Sequence, residues 1–304
     1  MENVYIMALG YLKIPDSYNY IAIFLILKCQ LKCPWCINIM DYNRSKLSED
    51  GEFMTTKKWI DALNRIEARE DLPLSIQGGE PTLHKGFYEI IANVNRPMDL
   101  LTNCQFNVSE FMDCVPRWKF SRNAPYASIR VSYHPEQMDL YETIHKVRTL
   151  HDKGYQIGVW MIEFPVREQE FLEAKLKFKE AGIDFRGKEL LGEYNGKVYG
   201  TFKYSNQVPK KVLCRTTELI VAPDGSVHRC HSDLYNLRPG IGHILDENFK
   251  LDREFRECVG DISCNSCDIK IKNNRFQVYG NTSVEQKEID NEKDNNVSDV
   301  PYSC

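Results

Sequence analysis

Three cysteines, Cys29, Cys33 and Cys36, fall within eight residues as C-x3-C-x2-C. Thiolates at that density bind metal. Three of them can hold three irons of a cubane cluster and leave the fourth iron open to an outside ligand, as catalytic sites do and closed structural sites do not. A zinc knuckle completed by a distant fourth ligand is the competing reading of the spacing. A second set follows far downstream: Cys214 and Cys230 flank fifteen residues, and Cys264 and Cys267 form C-x2-C. Four ligands would close a site, and that spacing suits zinc as well as iron–sulfur. Cys104, Cys114, Cys258 and Cys304 stand alone among the eleven cysteines. In a reducing compartment disulfides are rare, so clustered cysteines read as ligands.

The elements that position these groups follow from hydrophobic rhythm. Ile21 to Leu27 is a continuous apolar strand running into the first cysteine loop. Thr55 caps a helix expected to reach about Arg69, and Leu72 to Gln77 is a strand ending at Gly78-Gly79-Glu80. A helix near Phe87 to Val94, a strand Met98 to Thr102, a strand Ala127 to Tyr133 and a helix through Leu140, Ile144, Val147 and His151 come next. A strand Tyr155 to Ile162, a helix about Arg167 to Ala181 and a strand Asp184 to Lys188 complete six βα-type units, which predict a partial (β/α)6 barrel in residues 1–189. Ser128, Arg130, Ser132 and His134 alternate with apolar residues, so this polar face is expected to line the barrel lumen. Arg130 and His134 are then candidates for substrate contact or proton transfer, as are Glu163 and Arg186.

After Lys188 the pattern changes. Asn195-Gly196 and Asp224-Gly225 signal tight hairpins, predicting a small hairpin-rich module over residues 190–284. A core this small is one that a bound cluster would stabilise. His228, Arg229 and His231 read as exposed turn residues. Residues 285–304 carry six acids and two bases, and disorder is expected there.

The 304 residues are 42% hydrophobic and 27% charged with net charge −4, which excludes a wholly disordered chain. That balance does not indicate a nucleic-acid surface. The run Ile21 to Leu27 is far shorter than the ~20 residues of a membrane span, and no cleavage site follows it, so a cytoplasmic protein without membrane attachment is expected.

Cys29-Gln-Leu-Lys-Cys33-Pro-Trp-Cys36 after one strand, with Gly78-Gly79-Glu80-Pro81 after the next, resembles the radical S-adenosylmethionine (SAM) enzyme family. The resemblance implies that Cys29, Cys33 and Cys36 bind a [4Fe-4S] cluster whose open iron chelates SAM, giving a 5′-deoxyadenosyl radical that abstracts a substrate hydrogen. It implies that Trp35 packs near the adenine, that Gly78, Gly79 and Glu80 meet the methionine end, and that Ser132 meets the ribose. Arg186 is assigned to the same cofactor pocket. Leu101-Thr102-Asn103-Cys104 resembles the family's Thr-Asn-Gly segment, with Cys104 in place of Gly and Asn103 as a cofactor contact. Cys214-x10-Gly225-x4-Cys230 with Cys264-x2-Cys267 resembles the Twitch form of the family's Twitch and SPASM auxiliary modules, implying an auxiliary [4Fe-4S] cluster; Cys258 is the alternative fourth ligand.

The resemblance favours an oxidoreductase acting on a small polar alcohol of the sugar or cyclitol type, the auxiliary cluster accepting one electron. Flavodoxin or ferredoxin would reduce it. Only about twenty residues precede the first strand, which weighs against a peptide substrate. The alternative is an epimerase or a peptide-modifying enzyme in which a thiol, Cys104 or Cys258, returns a hydrogen atom. A non-catalytic zinc- or cluster-binding scaffold is the non-enzymatic alternative.

Overall fold

The computed structural model describes residues 10–33, 36, 54–190, 192–194, 197–199, 212–235, 237–251, 253–258 and 284–288. Trp35, Cys264 and Cys267 lie outside the described residues. The first part runs β1 (Leu12–Lys13), β2 (Tyr20–Ile26), α1 (Thr56–Asn64), β3 (Ile66–Glu67), β4 (Leu74–Gly78), α2 (Phe87–Asn93), β5 (Met98–Thr102), α3 (Val108–Cys114) and β6 (Ile129–Ser132). It continues through α4 (Leu140–Asp152), β7 (Ile157–Glu163), α5 (Glu168–Glu180) and β8 (Asp184–Glu189). Beyond it come β9 (Gly192–Tyr194), β10 (Lys197–Tyr199), β11 (Val212–Thr216), β12 (Glu218–Val221), β13 (Ser226–His228), α6 (His231–Tyr235), β14 (Gly242–His243), β15 (Arg256–Glu257) and β16 (Val284–Glu288).

Side-chain caps start the helices. Thr55 Oγ1 accepts from Lys58 N, Asn107 Oδ1 from Ser109 N, and Asp139 Oδ1 from Glu142 N, each satisfying an amide the first turn leaves unbonded. Helix α1 stops short of Arg69, because Ile66 and Glu67 pair in parallel with Leu12 and Lys13. Arg65, at its end, donates to the carbonyls of Gly10, Ile244 and Asp246 and so joins three distant segments.

The main sheet has the order β14-β13-β12-β2-β4-β5-β6-β7-β8, and its run from β2 to β8 is parallel throughout. This is the expected succession of six parallel strands, as an open α/β sheet and not a closed barrel. Its strands are buried on both faces, as crossover helices require. Along β2, Ile21, Ile23 and Leu25 enter the large core with the helices, while Tyr20, Ala22 and Phe24 form a second cluster on the opposite face with Ile220, Ala222 and Leu234.

Residue 189 does not end the sheet. Strand β12 pairs in parallel with β2, and β13 and β14 extend the sheet through the turn at Gly225, whose φ of 89° suits glycine. The expected hairpin character is present: β9 pairs antiparallel with β10, and β12 with β13. Of the tail only its first four residues are described, and these belong to β16 (Val284–Glu288), which pairs antiparallel with β11. Charged composition argued for disorder there, but the ladder is made by backbone groups, and β11 offers them an edge. Residues 289–304 lie outside the described residues.

Candidate functional site

The first cysteine loop leaves β2 where β4 ends. Gly79 N donates to Ile26 O and Glu80 N to Lys28 O, both at 2.8 Å, so the two strand ends stay in register as they become loops. A Cβ on Gly78 would strike the Ile26 carbonyl, and one on Gly79 the Leu27 and Lys28 carbonyls. The glycines are therefore required by the approach of the cysteine loop's own backbone. Glu80 is fully buried. Its Oε1 accepts from Thr82 Oγ1 at 2.7 Å, Thr102 Oγ1 at 2.8 Å and Thr82 N, and its Oε2 accepts from Asn103 N at 2.7 Å. Burial pushes its carboxyl above the usual range, and these four donors oppose that shift. The carboxylate fastens the end of β4 to the end of β5; it does not point to solvent.

Asn103 and Gln137 touch the cysteines directly. Asn103 Nδ2 lies 3.5 Å from Cys29 Sγ, and Gln137 Nε2 lies 3.3 Å from Cys33 Sγ. Gln137 was not singled out from the sequence; its place after β6, in the loop that carries His134, was the available signal. The Cys33 thiol is pushed up to about 12 by burial first, then by repulsion from Cys36, Glu136 and Cys29. Cys29 and Cys36 are thus close enough to Cys33 to oppose its ionisation, and sulfurs so placed form a donor set that a metal cation would stabilise. His134 and Glu136 also come within 4.8 Å of Cys33, ligand atom to ligand atom. Glu136 is engaged by Arg167 at 2.8 Å. His134 is held at about 4, chiefly by burial and then by Lys188, so its ring is neutral near pH 7. It sits against the cysteine loop.

The other candidates lie in separate surroundings. Arg130 Nη2 contacts Asp99 Oδ2 at 3.1 Å and its guanidinium lies over the Tyr126 ring, while Arg122 binds the same carboxylate through two nitrogens. Arg130 is thus held in an ion pair within the sheet. Arg186 packs over Trp160 at 5.6 Å and donates to Pro125 O and Asp184. Ser132 ends β6 partly exposed. Glu163 shares the helix-facing side of β7 with Val159 and Met161, and a Cβ on Gly187 would meet its carboxylate beside Phe171. Period-two alternation puts Glu163 on the outer face of the sheet, so its expected place in the site is corrected. Cys104 is also corrected. It is fully buried in the large core, with its thiol pushed up to about 12 by burial, and φ 58° puts it in the left-handed region. That conformation accounts for glycine in the segment it resembles. It offers no thiol at the mouth.

No family model matches the chain. PqqA peptide cyclase of Bradyrhizobium diazoefficiens is 24% identical over 139 residues, 45% of this chain, and the match spans 34% of that relative's length. Among solved structures, a histidine-tagged form of anSMEcpe with bound AdoMet covers 76% of each chain at 15% identity with a TM-score of 0.50. Native anSMEcpe with bound AdoMet and Cp18Cys peptide covers 76% of this chain and 78% of its own at 14% identity with a TM-score of 0.48. The first of these structures supports the fold, and the cysteine and Gly-Gly-Glu motifs sit where that fold brings β2 and β4 together. The fold is thus like that of anSMEcpe, and the match to PqqA peptide cyclase covers less than half of this chain.

Of the downstream cysteines, Cys230 follows β13 of the main sheet, whereas Cys214 lies on β11 of a separate three-stranded sheet. Cys214 pairs with Arg256 across β11 and β15, and Arg229 Nη2 reaches Glu257 O at 3.3 Å, so Cys214, Cys230 and Cys258 come from neighbouring segments. Cys230 Sγ accepts from Asp233 N at 3.4 Å at the start of α6. The next residue, His231, is buried. Its Nδ1 lies 3.3 Å from the buried carboxylate of Glu218, and its ring packs with Phe24, Tyr235 and Tyr20 at 5.8, 6.0 and 6.5 Å. His228 is buried as well, with Nε2 2.9 Å from Ser226 Oγ. Both corrections share one cause: β12 docks on β2 and turns the segment inward. No described helix is long and apolar enough to cross a membrane.

Proposed function

We propose that the chain is a radical SAM enzyme that modifies a peptide, using a cluster held by Cys29, Cys33 and Cys36. The observation that carries the cofactor reading is the meeting of that loop with Gly78, Gly79 and Glu80 over matched strand ends. Reduction of the SAM-bound cluster supplies a 5′-deoxyadenosyl radical. The chain's own residues hold the site together: Glu80 bonds β4 to β5, and Asn103 and Gln137 hold the cysteine loop. Ser132 and Lys188 stand towards the carboxyl ends of β6 and β8, where α/β folds of this type present substrates, and Arg186 lies within β8. Trp35 remains the proposed adenine contact. Cys214 and Cys230, with Cys264 and Cys267 or Cys258, would hold an auxiliary cluster able to take an electron. Flavodoxin or ferredoxin is the proposed donor to the first cluster.

The peptide substrate is favoured over the sugar or cyclitol alcohol by the relative that acts on a peptide by name, PqqA peptide cyclase. Hydrogen return by a thiol, if the reaction is an epimerisation, falls to Cys258 because Cys104 is enclosed. The reading is tested by incubating the anaerobically reconstituted protein with SAM, dithionite and either a mixed-sequence peptide library or a panel of sugars and cyclitols. The expected result is 5′-deoxyadenosine formation stimulated by peptide, with product mass lowered by about two units for cross-linking or unchanged for epimerisation. Stimulation by the alcohols alone overturns the peptide reading.

A further inference from the structure

Two carboxamides grip the first cysteine loop in the same way. Asn103, just past β5, donates Nδ2 to Cys29 Sγ at 3.5 Å and accepts from Gln30 Nε2 through Oδ1 at 3.1 Å. Gln137, past β6, donates Nε2 to Cys33 Sγ at 3.3 Å and accepts from Lys32 N through Oε1 at 2.6 Å. In each case the donor meets a sulfur and the acceptor holds the residue beside that cysteine. The amides are themselves anchored. Asn103 N donates to the buried Glu80 carboxylate and Asn103 Oδ1 also accepts from Gln105 N, while Gln137 N bonds His134 O. Lys32 N and Gln30 belong to the loop, so each amide restrains the loop's backbone or side chain as well as its sulfur.

An N–H pointing at a cluster sulfur withdraws electron density from it and stabilises the reduced, more negative state, which raises the reduction potential. Hydrogen bonds to charged groups are stronger than neutral ones, so the amides should bond more strongly once the thiols are thiolates. We infer that Asn103 and Gln137 are paired positioning residues that set the potential of the cluster bound by Cys29, Cys33 and Cys36. This rests on the proposed cluster at those cysteines and adds to it the residues that tune it. Gln137 is the sharper test, because it lies outside the motifs and leaves the Glu80 network intact.

The experiment uses the full, cluster-loaded chain without substrate. Gln137→Glu keeps an oxygen for Lys32 N and replaces the N–H donor with an acceptor; Gln137→Met removes both. At one ambient potential the reduced fraction, read by EPR, is expected to fall about threefold or more in Gln137→Glu while iron content stays at the wild-type level. A loaded Gln137→Glu protein with an unchanged reduced fraction overturns the inference. If either variant fails to load, the wild type decides. Pulsed EPR of its reduced cluster, with 15N in glutamine side-chain amides, is expected to show a nitrogen coupling, and its absence overturns the inference. Wild-type protein holding no iron at all would instead refute the cluster reading itself.

Discussion

The two cysteine regions are built in opposite ways. The first lies on a loop between buried parallel strands, with Gly78 and Gly79 closing on its backbone and Glu80, Asn103 and Gln137 bonding around it. The fold thus holds the loop that carries these cysteines on several sides. The second draws Cys214 from a three-stranded sheet with neighbours β15 and β16, and Cys230 from the turn before a short helix. Its link to the main sheet is the pairing of β12 with β2 and the burial of His231. If both sets bind metal as proposed, the site backed by a large core would need it for chemistry, whereas the site on thin sheets would need it for folding as well.

The strongest test of this contrast replaces Cys29, Cys33 and Cys36 together by alanine. Iron should fall from about eight to about four per chain, and SAM cleavage should drop to background, while the melting temperature moves little. About four irons falling to none, with zinc retained, would instead make the second site structural. Next in size is Glu80→Ala, which leaves Thr102 Oγ1 and Asn103 N without their buried acceptor. A loss of about 2–4 kcal/mol is expected in denaturant titration of the metal-free chain, and a value near zero would show that the strand ends do not depend on Glu80.

A smaller effect separates the regions directly. With metal removed by chelation, limited proteolysis followed by mass spectrometry should cut within 212–258 before it cuts within 54–188; simultaneous cutting would erase the contrast. The smallest effect is in pH. His134 titrates near 4 in the folded chain against an ordinary value near 6.5, so between those values the unfolded state binds more protons. Stability of the metal-free chain should therefore rise from about pH 4 to about pH 6.5 by roughly 2–3 kcal/mol and level off above it. In His134→Asn that slope should flatten, as chemical denaturation at several pH values will report.

Local pattern by itself determined a good deal of this protein: the succession of parallel strands, the cap at Thr55 and the turn at Gly225, while the meeting of Cys29, Cys33 and Cys36 with Gly78-Gly79-Glu80 was what the family resemblance implied. These depend on neighbours within a few residues or on strand ends in sequence order. Side-chain alternation along a strand also showed which residues share a face, yet Glu163 and Arg130 needed the tertiary structure, because the face's surroundings are set by other strands. Asp99, Arg122 and Tyr126 come from elsewhere to occupy Arg130. Cys104 is enclosed by a core that its own segment only touches. Strand β12 joins β2 across about two hundred residues, which turned His228 and His231 inward. The same distance rule hid Gln137, since only packing of the β6 loop on the cysteine loop brings its amide to Cys33. Periodicity reports a residue's orientation within its element, and the partner it meets is decided when non-local elements bury their apolar faces together.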